Sequence, residues 1–126
     1  MLTVTIKEFH ALCKEQAGST LDTVVICPAC KTLQCGHDFI AAGVERERVA
    51  RVLGFNCVGR YTGAQTARKV PDGQPCNWTL GGLFQLHTME VIDEEGVKHP
   101  HFELASVEAA KEYRDKRAVV AQKDNQ

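Results

Sequence analysis

The stretch Cys27-Pro28-Ala29-Cys30-Lys31-Thr32-Leu33-Gln34-Cys35-Gly36-His37 sets three cysteines and a histidine within eleven residues, directly after the apolar run Val24-Val25-Ile26. Thiolate and imidazole are zinc ligands, and Cys-x2-Cys lets one tight turn aim two sulfurs at one ion. Cys57 and Cys76 follow in glycine-rich surroundings. Two ligand sets compete. A compact set, Cys27, Cys30, Cys35 and His37, closes a knuckle within the stretch itself. A dispersed set, Cys27, Cys30, Cys57 and Cys76, ties a distant loop to that knuckle. The dispersed set explains more, because it gives Cys57 and Cys76 a task and anchors the irregular residues between them. Cys35 and His37 then stand as substitute ligands. Four ligands would close the site and make it structural, with no position left for catalysis.

Composition bears on which chemistry the thiols serve. The first residues show no basic region followed by an apolar core, so no secretory signal is expected and the compartment reads as cytoplasmic. Thiols stay reduced there, which favours metal ligands or core residues over disulfides. No apolar run approaches the roughly 18 residues of a membrane span. At 126 residues, 44% apolar and 25% charged, the chain is sized for one domain with a real core. That domain is expected to cover 1–126, with 119–126 a frayed tail. The net charge of −1 hides an asymmetry: residues 45–69 carry a net +4 and residues 70–110 a net −6. Such faces suit an acidic and a basic partner, or are solvated surfaces that offset each other.

Taken in order, Thr5 with Glu8 forms a capping box that opens a helix. Ile6, Phe9, Leu12 and Cys13 lie on its apolar face and Gly18 ends it. Residues 23–26 read as a short buried strand. A short helix is expected over 38–42, stopped at Gly43. A second runs over 45–53, ended by Gly54, with Phe55 packing back onto its last turn. Residues 56–77 are irregular, the kind of long loop that is functional or pinned. Residues 78–92 read as strand, with Trp78, Leu80, Leu83, Phe84 and Leu86 as core. A hairpin turn at Asp93-Glu94-Glu95-Gly96 leads to a return strand over 97–104, which Pro100 assigns to a sheet edge. Ser106 caps a final helix. His87, His99 and His101 lie on the hairpin, as surface histidines or a second metal or acid–base site.

Three resemblances follow. Residues 24–30, a strand running into Cys-Pro-x-Cys, resemble the active-site segment of thioredoxin and glutaredoxin proteins. That resemblance implies a helix starting at Cys27, a reactive thiolate at Cys27/Cys30, and Val70-Pro71 in the place of the family's cis-proline. Cys35-Gly36-His37 interrupts the helix this needs. Residues 47–61 resemble a helix-turn-helix, with Arg60 on the second helix, although Gly59 and Gly63 weaken it. The blocks Cys27-Pro28-Ala29-Cys30, Gly54-Phe55-Asn56-Cys57-Val58-Gly59-Arg60-Tyr61-Thr62-Gly63 and Cys76-Asn77-Trp78-Thr79-Leu80-Gly81-Gly82-Leu83 are similar to small cysteine-rich accessory proteins of phages and prophages. That likeness implies a short protein that acts by binding, with inhibitors of host defence, anti-CRISPR proteins included, as a class to name.

The expectation is therefore an α+β domain tied by zinc, with a C-terminal antiparallel hairpin and flanking helices. Its leading function is non-catalytic binding of a protein or nucleoprotein partner, without a membrane. Arg46, Arg48, Arg51, Arg60 and Arg68 are candidates for contact to phosphate or an acidic surface. Asp93, Glu94 and Glu95 are candidates for a basic groove. The enzyme alternative is a Cys27/Cys30 oxidoreductase, and nucleic-acid binding is the third reading.

Overall fold

A computed structural model describes residues 2–63, 75–76, 78–80 and 87–124, with side chains through residue 118. The chain is α+β. Its elements run β1 (Leu2–Thr5), α1 (Ile6–Gln16), β2 (Val24–Ile26), β3 (Leu33–Cys35), α2 (Gly36–Ala41), α3 (Arg46–Val52), α4 (Gly59–Thr62), β4 (Met89–Ile92), β5 (Lys98–His101), β6 (Glu103–Leu104) and α5 (Val107–Asp124).

Two small sheets result. One is mixed, with strand order β1-β4-β5; the other is antiparallel, with order β3-β2-β6. The expected hairpin is β4–β5, in register Met89↔His101 and Val91↔His99. Its turn places Gly96 at φ +83. Pro100 sits on β5, an edge strand, where its missing N–H costs no ladder bond. β1 pairs in parallel with β4, and nothing in the local sequence announced it, since four residues carry too little pattern. The chain crosses between sheets at Phe102. β5 ends in the first sheet, β6 pairs with β2 in the second, and Phe102 itself is fully buried between them, stacked on Trp78 at 5.6 Å.

The capping box at Thr5 and Glu8 forms as the pattern predicts. Helix α1 ends at Gln16, before Gly18. Its apolar face is shallower than expected. Ile6 and Phe9 pack against Val4, Met89 and Val91, whereas Leu12 is 36% exposed. The buried side chain of α1 is Gln16. Its amide donates to the Val24 and Ala105 carbonyls and its oxygen accepts from the Val24 N–H, clamping helix to sheet. Among the described residues of 78–92, an isolated bridge at Thr79 and the strand Met89–Ile92 replace one continuous strand. Trp78 and Leu80 are core, as expected; Leu83, Phe84 and Leu86 lie outside the described residues. Phe55 does not fold back. Its backbone bonds Val52 and Leu80 while its ring stays 40% exposed.

Helix α5 docks largely through polar groups. Arg114 donates to the Asp22 and Gln16 carbonyls, and Arg117 pairs with Asp38 at 2.7 Å. The Tyr113 hydroxyl also donates to Asp38.

Candidate metal centre

β2 and β3 form a hairpin whose tip is the Cys27–Cys30 turn. The Lys31 N–H reaches the Cys27 carbonyl at 2.8 Å, and the Cys27 N–H reaches the Thr32 carbonyl at 3.1 Å. Closing this turn puts Lys31 at φ +60, a left-handed conformation unusual for a side-chain-bearing residue. Both cysteine side chains then project from one tight loop. No helix begins at Cys27, so the thioredoxin-like geometry is absent, and Val70-Pro71 lies outside the described residues.

The opposite side of the cluster comes from Cys57 and Cys76, neither of which lies in a helix or strand. Cys57 lies just before α4, and Cys76 arrives from the long connection. Gly59 makes the approach possible, because a Cβ there would stand 2.1 Å from the Cys76 carbonyl oxygen. The Cys57 N–H bonds the Trp78 carbonyl, fixing the two segments side by side.

The four sulfurs of Cys27, Cys30, Cys57 and Cys76 lie within 4.8 Å of one another, and all four residues are buried. Cys27 is 3.8 Å from Cys76 and Cys30 is 3.7 Å from Cys57. A tetrahedron with metal–sulfur bonds of about 2.3 Å has edges of about 3.8 Å. The four cysteines can thus hold one metal ion, and an all-sulfur tetrahedron suits zinc.

The surroundings treat the sulfurs as acceptors. Gln34, wholly buried, donates its amide N–H to the Cys57 sulfur at 2.9 Å and accepts the Val58 N–H on its oxygen. The backbone N–H of Cys76 points at the Cys57 sulfur at 3.3 Å, and that of Trp78 at the Cys76 sulfur at 3.4 Å. The Thr32 hydroxyl is buried with no other hydrogen-bond partner and favours the thiolate form of Cys30. Donors gathered around sulfur are the outer support a thiolate–metal site uses. Without a cation the thiols of Cys27, Cys30 and Cys57 oppose one another. Hydrogen bonding with Cys30 and Cys57 holds Cys27 protonated, and the same contacts drive Cys30 to the thiolate. For Cys57, the contact with Cys27 pulls its pKa down, but the contact with Cys30 and burial prevail and push it up to about 11. A divalent cation among them would favour the thiolate form of each sulfur.

The alternation of β3 explains why Cys35 and His37 stand apart. Thr32 and Gln34 share one side of the strand and face the sulfurs; Leu33 and Cys35 share the other. Cys35 packs with Val24, Ala105 and Ala110 beneath α5, where burial first and then Asp38 push its thiol up to about 11. His37 pairs with Asp22 at 3.0 Å. Gln34 was not singled out from sequence. Its signal was there: a polar residue inside a strand, in phase with the turn rather than with Cys35.

The remaining predicted residues spread over the surface. Arg46, Arg48 and Arg51 are exposed on α3, and Arg60 is exposed on α4. Arg68 lies outside the described residues. α4 is a single turn, too short for the second helix of a helix-turn-helix, so that resemblance fails. Asp93 is committed to the hairpin: its carboxylate accepts the Glu95 and Val97 N–H groups and pairs with His99 at 2.8 Å. Glu94 and Glu95 are exposed beside it. The three histidines do not converge. His87 contacts Glu90, His99 contacts Asp93, and His101 turns toward Phe9 and Gly54.

A family model described as VVA0879-like matches residues 5–105. The chain belongs to the VVA0879-like family. The matched span takes in β2 through β6, all four clustered cysteines and Gln34. No curated protein and no solved structure matches the chain. No helix among the described residues is long and apolar enough to cross a membrane.

Proposed function

We propose that this VVA0879-like chain is a small cytoplasmic zinc-binding protein whose metal, held by Cys27, Cys30, Cys57 and Cys76, is structural, and which acts without catalysis by occupying a surface of a protein or nucleoprotein partner. The observation that carries the structural reading is the closure of the site. Four sulfurs surround one point with no water-facing side, which leaves no coordination position for a substrate. Burial argues equally against thiol–disulfide exchange, because an attacking thiolate has to be reached.

Function then falls to the surfaces the metal would position. Arg46, Arg48 and Arg51 are exposed and make no ion pair among the described residues, so α3 offers its charge to a partner. Arg60 and Arg68 extend the basic segment in sequence, and Glu94 with Glu95 gives the hairpin tip an opposite charge. The likeness to phage accessory proteins directs the reading toward a host-defence complex as partner, in the manner of an anti-CRISPR inhibitor.

Nucleic acid and protein partners separate by salt. If α3 meets phosphates, binding of a fluorescent duplex falls steeply with salt, and Arg46→Glu with Arg51→Glu abolishes it. Absence of duplex binding at low salt removes the phosphate reading and leaves an acidic protein surface. An activity in a dithiol assay that depends on Cys27 and Cys30 would reject the non-catalytic role.

A further inference from the structure

A cavity of about 360 Å³ opens between α1, the turn before β2, and α3. None of the four clustered cysteines lines it, and its size falls within the range of about 300–1,000 Å³ typical of small-molecule sites. Helix α1 faces it with His10, Cys13, Lys14 and Ala17, the spacing of one helical face. Helix α3 contributes Ala50, and its C-cap contributes Leu53. Arg46, four residues before Ala50, lies on the same stripe, is exposed, and has no ion pair among the described residues.

The lining has a polarity that a packing gap would not need. Phe9, Val25 and Leu53 form an apolar floor, and no lining residue carries a carboxylate. Lys14 supplies positive charge to the lining, and Arg46 extends the stripe of Ala50 one helical turn beyond it. At the wall stands His101. Its Nδ1 is 2.5 Å from the Phe102 carbonyl oxygen, which can only accept, so Nδ1 carries the hydrogen and Nε2 is left with a lone pair. Phe9 packs edge-on against the imidazole at 4.8 Å, and the ring lies against Gly54, which together hold its orientation. Burial lowers the His101 pKa, so the ring is neutral at neutral pH and Nε2 stays an acceptor.

We propose that this cavity binds a small aromatic anion bearing a hydroxyl or ring N–H. The ring lies on Phe9, Val25 and Leu53, the hydroxyl or N–H donates to His101 Nε2, and the anionic group meets Lys14 and Arg46. The proposal is independent of the metal reading, since it uses other residues.

The test is an amide NMR titration of the full chain with 4-hydroxybenzoate. The expected result is saturable shifts confined to residues 9–17, 50–53 and 101, with a Kd of about 1 mM or tighter. Lys14→Gln with Arg46→Gln weakens binding about tenfold, and Ala50→Phe, which fills the mouth from an exposed position, removes it while the rest of the spectrum is unchanged. Equal binding of phenol would reject the anionic requirement, and equal binding of benzoate would reject the donor to Nε2. Absence of saturable shifts in the native chain overturns the site.

Discussion

The two sheets of this molecule are held by different physics. The mixed sheet has two ladders of four residue pairs each and a small apolar layer of Val4, Met89 and Val91 under Ile6 and Phe9. The antiparallel sheet has one ladder of three pairs and one of two, from strands shorter than the usual five or six residues. The largest buried cluster nonetheless lies on that side, and it is built around four sulfurs. Phe39, Phe102 and Trp78 share it with Cys27, Cys30, Cys57 and Cys76. Two of those cysteines, Cys57 and Cys76, themselves lie outside any helix or strand. Ladder and apolar packing suffice on one side; on the other, convergence of thiols takes the place of secondary structure. A bond network to one ion would gather segments far apart in sequence without requiring any of them to be a strand or helix.

Substitutions that break one side and spare the other sharpen this contrast. The largest effect belongs to Cys57→Ser or Cys76→Ser. Apparent structural zinc binding is worth about 10–16 kcal/mol, more than a domain of this size has in reserve, so the chain should unfold or become molten. Cys35→Ser, which places a hydroxyl beside Val24 and Ala110, should cost about 1–3 kcal/mol and leave the fold intact. Amide spectra and thermal melts of the three variants decide the matter. Equal tolerance of all three would show that the sulfurs are not a unit.

Gly54→Ala addresses the seam between the sheets. Gly54 has φ +83, a Cβ there would stand 2.3 Å from the His101 ring, and its carbonyl accepts the Phe102 N–H where the chain changes sheets. Left-handed strain and overpacking together predict a loss of about 2–4 kcal/mol in urea unfolding. Gln34→Leu is smaller and acts on the sulfur side. It strips an N–H from Cys57 and leaves the Val58 N–H buried without an acceptor, for about 1–3 kcal/mol and a metal affinity weaker by about 10–100-fold.

The smallest effect is one of pH and reports on the other side. Burial depresses the His101 pKa, so below about pH 6.5 the unfolded chain binds a proton that the folded chain resists. The contribution is fully present above that pH and is lost as pH falls toward the folded value. The stability difference between the native chain and His101→Asn should therefore change with pH below about 6.5 and be flat above it. A difference that is constant from pH 5 to pH 8 would place no titration at His101.

What could be read from the sequence follows the same division. The Thr5–Glu8 box, the Gly96 hairpin and edge Pro100 were legible because each is a local rule written in adjacent residues. The grouping of Cys27 and Cys30 with Cys57 and Cys76 was favoured on economy, since only it gave the later cysteines a purpose. The parallel pairing of β1 with β4 was illegible, because it depends on residues nearly ninety positions apart with no local signature. Gln16 and Gln34 were missed for a related reason. A buried glutamine looks like a surface residue until the carbonyls, N–H groups or sulfur that satisfy it are known.

The proposed structural metal between Cys27, Cys30, Cys57 and Cys76 is open to direct measurement. Its most direct test is metal analysis of native chain purified without chelator, paired with an amide spectrum before and after metal removal. A structural zinc site predicts about one zinc per chain and loss of the dispersed spectrum when it is stripped, restored on adding zinc back. A metal-free chain that keeps its native spectrum, with Cys27, Cys30, Cys57 and Cys76 as ordinary buried thiols, would contradict it.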